Sequence, residues 1–193
     1  MNLLFVRHGK DSDQHRGGWS QLDLLPEGKR EAKTLADYLV QHKEDYHFTK
    51  MITSDLKRAE TTATILAETL QLSLEKESNL REMNNGDLAG MLNSEADQKF
   101  PRLYFRSLAM DEHYPNGESP REFYQRIKTW FQRFLQENDD SDETQIVVTH
   151  GGVINIIYHL VNQIEWTNKS NLFHVKHCSI SLLNTKPLVF EVE

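Results

Sequence analysis

Short solid runs of apolar residues alternate along this chain with longer stretches in which apolar positions recur every three or four residues. Leu3–Val6 is an unbroken apolar run, too short for a helix, and reads as a buried strand. Over Pro26–Gln41, Ala32, Leu35, Ala36, Leu39 and Val40 fall on one helical stripe. Pro26 suits a first helical position, whereas Leu25 is a poor N-cap. Lys50–Thr53 reads as a second strand. Asp55–Leu70 reads as a helix facing inward through Ala59, Ala63, Leu66, Ala67 and Leu70, and Ser73–Glu77 as a weak third strand.

Met91–Met110 has no clean period and is read as one or two short helices. Ser119-Pro120-Arg121-Glu122 is a capping box, and the helix it starts carries Phe123, Ile127, Trp130, Phe131 and Phe134 inward. The acidic run Glu137–Glu143 reads as a solvated turn. Gln145–Thr149 is another buried strand, Gly152–Leu160 a helix and Val175–Asn184 a late strand, with a further strand over Leu188–Val192. Strands that alternate with helices predict a three-layer α/β/α sandwich around a mostly parallel sheet. Ligands bind such sheets at the carboxyl ends of the strands.

The length of 193 residues predicts a single domain over 1–193, with a short helical insert at about 91–115. The net charge of −7 argues against nucleic acid as a partner. The longest late apolar stretch, Ile146–Val161, contains His150, Asn155 and His159 and is no membrane span. The one cysteine, Cys178, allows no internal disulfide and fits a cytoplasmic setting. No metal-ligand spacing is visible, and no cofactor or metal is expected. Oligomeric state is not legible.

Chemistry gathers where strands end. Arg7-His8-Gly9 closes the first strand, and Thr149-His150-Gly151-Gly152 closes a later one in the same form. In a parallel sheet these ends can meet in one crevice. Arginine binds phosphate oxygens through a planar fork, and a neutral histidine is a nucleophile. Arg58 falls in the first turn of a helix, where the dipole disfavours it unless an anion binds there. Glu82 follows the weak third strand. Phosphoryl transfer needs positioning and charge neutralisation above all. Two arginines and a protonated histidine can supply that in place of a metal.

In this order, Arg7-His8-Gly9, Ser54-Asp55-Leu56-Lys57-Arg58-Ala59, Leu80-Arg81-Glu82, Asn116-Gly117-Glu118-Ser119 and Thr149-His150-Gly151-Gly152 resemble the histidine phosphatase superfamily. This is the family of cofactor-dependent phosphoglycerate mutases and related phosphatases. The resemblance implies a phosphoglycerate mutase-like fold, with His8 as the residue that takes up the phosphoryl group. It implies that Arg7, Arg58 and His150 bind the phosphoryl oxygens, that the Gly151 amide adds a contact, and that Glu82 protonates the leaving alcohol. The substrate would be a small phosphorylated metabolite, hydrolysed without metal. Mutase-type transfer, a phosphoprotein or phosphohistidine phosphatase, and a non-catalytic phosphate-binding module are the alternatives.

The chain departs from the family pattern at several places. Lys10 stands where the family often has Glu or another small or acidic residue and is a candidate contact to a second anionic group of the substrate, and Arg16 and Ser20 are further candidate contacts in a poorly matching loop. Gly86-Asp87-Leu88-Ala89-Gly90 keeps two glycines of a family element but not its aromatic and acidic residues. Phe100, Tyr104, Phe105 and Tyr114 are an aromatic set that reads as core more readily than as pocket wall. His15, His42, His47, His113, His159, His174 and His177 share no motif and are read as lying outside the site.

Overall fold

The computed structural model describes residues 1–138, 143–170 and 172–191. In chain order the elements are β1 (Asn2–Arg7), α1 (Pro26–Gln41), a single turn α2 (Lys43–Tyr46), β2 (Phe48–Thr53), α3 (Lys57–Leu70), β3 (Leu74–Lys76), α4 (Asn93–Lys99), α5 (Pro120–Glu137), β4 (Thr144–Thr149), α6 (Gly151–Val161), β5 (Ile180–Thr185) and β6 (Leu188–Glu191). The six strands form one sheet in the order β3-β2-β4-β1-β5-β6. β1, β2, β3 and β4 run parallel, while β5 and β6 add an antiparallel edge.

Strand alternation divides the core between two faces. Leu4 and Val6 of β1 pack with Met51, Ile146 and Val148 against Leu35, Ala36 and Leu39 of α1 and Ala59, Ala63 and Leu66 of α3. Leu3 and Phe5 point the other way, with Ile52 and Val147, onto Phe123, Ile127, Trp130 and Phe131 of α5 and Ile154 and Ile157 of α6. The result is the three-layer α/β/α sandwich that the pattern predicts, with a mostly parallel sheet.

Helix starts follow local chemistry. Ser119 Oγ accepts from the Glu122 amide, and the Glu122 carboxylate accepts from the Ser119 amide, so the capping box of α5 is complete. Leu25 gives α1 no side-chain cap. α3 begins at Lys57 rather than Asp55, because Asp55 is held in a two-point pair with Arg81. Within Met91–Met110 only α4 is helical and turns follow it. Residues 139–142 of the acidic run and Val192 at the end of the last expected strand lie outside the described residues.

The late strand is shorter than its pattern suggests. It was expected over Val175–Asn184, yet β5 starts only at Ile180. Residues 175–179 instead bend back toward β1, where the Cys178 amide donates to the Arg7 carbonyl and the Arg7 amide donates to the Ser179 carbonyl. Among the described residues, no helix is long and apolar enough to cross a membrane.

Candidate active site

Register sets the site. Arg7 pairs with Thr149 across β1 and β4, and Thr53 pairs with Val148 across β2 and β4. Three parallel strands therefore end level, and they deliver Arg7-His8, Thr149-His150 and Thr53-Ser54 to one edge. The ladders run one step further: the His8 amide donates to the Thr149 carbonyl at 2.9 Å, and the Ser54 amide to the Val148 carbonyl at 3.0 Å. Beyond His8 the chain is pressed onto the start of α1. A Cβ on Gly28 would lie 2.2 Å from the Lys10 carbonyl oxygen, so only glycine allows the contact.

His8 is 4% exposed. Its Nδ1 lies 2.8 Å from the Gly9 carbonyl oxygen, which can only accept. Nδ1 therefore carries the ring proton and Nε2 keeps its lone pair. Arg58 Nε donates to that Nε2 at 3.3 Å. The guanidinium of Arg58 is itself buried and also donates to the Gly18 and Ser20 carbonyls and to Ser20 Oγ. Burial, then Arg58, then Arg7 push the His8 pKa well below the usual histidine value. The neutral ring, which is the form that can act as a nucleophile, is thereby favoured.

His150 is fully buried, with its ring centroid 5.1 Å from that of His8 and Nε2 2.8 Å from Ser54 Oγ. Burial first, then Arg58, His8 and Arg7, hold it well below the usual value as well. In this resting pocket the charged form of His150 is therefore disfavoured, and an oxyanion bound beside it would favour that form. Arg7 Nη1 donates to the Val175 carbonyl at 2.7 Å and Nη2 to His177 Nε2 at 2.8 Å. Arg7 Nε and His150 Nδ1 are buried without a partner among the described residues. Buried polar atoms ordinarily find partners, and an oxyanion in the cluster would meet such a need.

Glu82 approaches from the loop after β3. Its carboxylate accepts from the Met83 amide at 3.1 Å and from the Gly152 amide, at the start of α6, at 3.0 Å. The loop is braced from both sides. Trp19 Nε1 donates to the Glu82 carbonyl, and Arg126 donates to the Asn79, Arg81 and Glu82 carbonyls while pairing with Glu118. That gives Asn116-Gly117-Glu118-Ser119 its physical meaning: Glu118 holds Arg126, and Ser119 caps the helix that carries it.

Of the residues singled out from sequence, the structure brings Arg7, His8, Arg58, His150 and Ser20 into one cluster, with Gly151 beside Arg7 and Glu82 over the start of α6. Lys10 Nζ instead lies 3.5 Å from Glu27 on α1, and Arg16 pairs with Asp97 at 2.6 Å. Two site residues escaped sequence reasoning. Asp11 Oδ2 lies 3.5 Å from Arg58 Nε, and His177, expected outside the site, lies with its ring tilted against that of His8, centroids 5.6 Å apart, and accepts from Arg7. Burial and Arg7 lower the His177 pKa. His8, Asp11 and His177 offer ligand atoms within 4.8 Å of one another. However, Arg58 and Arg7 already direct N–H groups at the two imidazole lone pairs, so a metal ion would have to displace two guanidiniums.

Beside Glu82 opens a cavity of about 880 Å³ whose floor includes Gly18, Gly151 and Gly152. Tyr104, Phe105 and Tyr114 of the aromatic set line it, and Phe100 does not.

The family model of the histidine phosphatase superfamily, branch 1, matches residues 3–193. The chain belongs to that superfamily. Its curated relatives include phosphoglycerate mutase-like protein 4 of Arabidopsis thaliana, 34% identical over 81% of this chain and 69% of the relative. They also include phosphoserine phosphatase 1 of Hydrogenobacter thermophilus, 31% identical over 78% of this chain and 71% of the relative. Among solved structures, a putative alpha-ribazole-5'-P phosphatase from Escherichia coli superposes with a TM-score of 0.84 at 24% identity, covering 100% of this chain and 95% of that one. A mycobacterial glucosyl-3-phosphoglycerate phosphatase superposes with a TM-score of 0.78 at 23% identity, covering 100% and 96%. These two likenesses establish the phosphoglycerate mutase-like histidine phosphatase fold. The relatives establish membership of a family of phosphoryl-transfer enzymes that holds both phosphatases and mutases.

Proposed function

We propose that residues 1–193 form one catalytic domain that hydrolyses phosphate monoesters through a phosphohistidine on His8, with neither metal nor cofactor. The observation that carries this reading is the lock on the His8 ring: Nδ1 is committed to Gly9, and the unprotonated Nε2 points at the buried guanidinium of Arg58. Arg7, Arg58 and His150 take the non-bridging phosphoryl oxygens, helped by the Gly151 amide. The P–Nε2 bond forms as the bond from phosphorus to the ester oxygen breaks, and Glu82 gives its proton to the departing alkoxide. A water then attacks phosphorus, Glu82 accepts the proton of that water, and the P–Nε2 bond breaks to release phosphate.

Two features favour hydrolysis over mutase-type return of the phosphoryl group. The segment between the Glu82 and Asn116-Gly117-Glu118-Ser119 elements is short, with α4 its only α-helix. The cavity wall also offers few cations to hold a bisphosphorylated acid, since among the described residues only Arg16 and Arg106 line it and Arg16 is paired with Asp97. The test is hydrolysis of p-nitrophenyl phosphate by wild type and His8→Ala with chelator present, together with a search for an acid-labile phosphoenzyme. Activity in wild type, unchanged by chelator and absent in His8→Ala, is expected. An inactive wild type overturns the enzyme reading, loss in chelator overturns the metal-free route, and an active His8→Ala overturns the nucleophile. Isomerisation of 3-phosphoglycerate with a bisphosphorylated primer would reinstate the mutase.

A further inference from the structure

Resting on the phosphatase reading, we infer that the alcohol of the substrate carries an aromatic ring system, seated in the cavity beside Glu82, and is not a small hydroxy acid. A proton donor to the leaving group must stand at the ester oxygen, so the wall that Glu82 shares is where the alcohol goes. That wall is not shaped for a three-carbon acid. At about 880 Å³ the space falls at the upper end of small-molecule pockets, and a short polyol would leave most of it to water.

The chemistry of the wall points the same way. Met83, Tyr104, Phe105, Tyr114 and Trp166 line it from four separate segments. Trp166 is 8% exposed and held rigid by a stack on Tyr124, with ring centroids 5.4 Å apart, and by tilted contact with Phe105 at 6.2 Å. Tyr104 is 44% exposed, with the guanidinium of Arg16 centred 4.3 Å over its ring. A planar group entering here meets a fixed indole, a phenol whose hydroxyl donates to Asp97, and a guanidinium, each of which favours stacking. Charged recognition is scarce. Besides Glu82, the ionisable lining residues with formal charge are Arg16, committed to Asp97, and Arg106, exposed and without an ion-pair partner among the described residues. A hydroxy acid would find little for its carboxylate.

The test compares esters that differ only in the ring. Ethyl phosphate and 2-phenylethyl phosphate release similar primary alkoxides, so a difference in kcat/KM reports binding of the ring and not leaving-group ability. Ribose 5-phosphate against adenosine 5'-monophosphate is a second such pair, and O-phosphoserine represents the acids. Burying a phenyl ring predicts a preference of about tenfold or more for the ring-bearing member of each pair, appearing mainly in KM. In Tyr104→Ala, with its fold checked by circular dichroism, that ratio should fall at least threefold, and in Trp166→Leu further still. Equal turnover within each pair, or preference for O-phosphoserine, overturns this substrate class and leaves the phosphatase intact. Should no ester be hydrolysed, the phosphatase reading fails. Calorimetric titration of 2-phenylethyl and ethyl phosphate then decides the ligand class alone, an affinity ratio near one overturning it.

Discussion

Replacing Asp11 by asparagine should tighten the grip of the protein on phosphate, although it removes an ion pair from the site. Asp11 Oδ2 stands 3.5 Å from Arg58 Nε and acts as the resting counter-ion of that buried guanidinium. A phosphate arriving at His8 would take over the N–H that Arg58 Nε now gives to the His8 ring, and so would share this cation with Asp11. With an ordinary ~2.9 Å hydrogen bond from Nε, its oxygen cannot lie more than about 6.4 Å from Asp11 Oδ2. Two unit charges at that separation repel by ~2.6 kcal/mol at an effective dielectric of ~20. Asp11 is partly solvated, its side chain 19% exposed, and salt screens it further. A gain of roughly 1.4 kcal/mol, tenfold in Kd, is therefore the conservative expectation for Asp11→Asn. The assay is calorimetric titration with inorganic phosphate or orthovanadate at neutral pH, in low and high salt, with the advantage of the variant shrinking as salt rises. Thermal unfolding gives a second reading. Without ligand the variant should melt lower, because Arg58 is 2% exposed and has lost its carboxylate. Saturating phosphate should close the gap, since tighter binding stabilises the native state more. A folded Asp11→Asn that binds phosphate no better than wild type would refute the idea that Asp11 and the substrate compete for one cation.

Other perturbations reach the site from different directions. A Cβ on Gly152 would lie 2.2 Å from Glu82 Oε1, so Gly152→Ala should push the carboxyl aside and cut kcat by about 100-fold, while vanadate affinity, read by titration, changes little. Arg126→Met leaves three carbonyls and Glu118 without their shared donor; a loss of about 3 kcal/mol in urea unfolding is expected, and a cost below ~1 kcal/mol would show that the brace is not needed. His8 and His150 both titrate well below the usual 6.5 when folded. Below that pH the unfolded chain binds protons that the native one refuses. Stability is thus complete above about pH 6.5 and falls as the pH drops, by up to ~1.4 kcal/mol per pH unit for each histidine. Urea midpoints equal at neutral and mildly acidic pH would contradict this. Phe123, on the inner face of α5, is fully buried, and Phe123→Ala should cost about 3–5 kcal/mol in the same assay.

Where a segment makes its own structure, its pattern could be read. β1 and β4 are solid apolar runs because both faces of the sheet are covered. α5 carries its own start signal and an unbroken stripe. The cluster of Arg7, His8, Arg58 and His150 was legible because each sits beside a strand end or helix start that local sequence marks, and parallel pairing brings those ends together. Glu82 was legible only through family resemblance, since its loop is held by Trp19 and Arg126 from distant positions. Val175–Ser179 misled because alternation of apolar and polar residues is the same whether or not a strand finds a partner. It took His177 with it, a histidine with no motif that reaches the site only because its backbone bends toward Arg7. Asp11 likewise gave no signal, for its importance lies wholly in its distance from Arg58.

The hold of residues 175–177 on Arg7 also has a consequence for how the protein folds. Arg7 reaches the carbonyl of Val175 and the ring of His177 across 168 and 170 residues of chain. A folding chain can pair β1 with nearer strands first, but the brace on Arg7 and the β5 edge beside it need residues 175–184 to close a loop of that length. The Arg7 corner of the cluster therefore depends on contacts of very long range, and it is set only when those residues dock on β1.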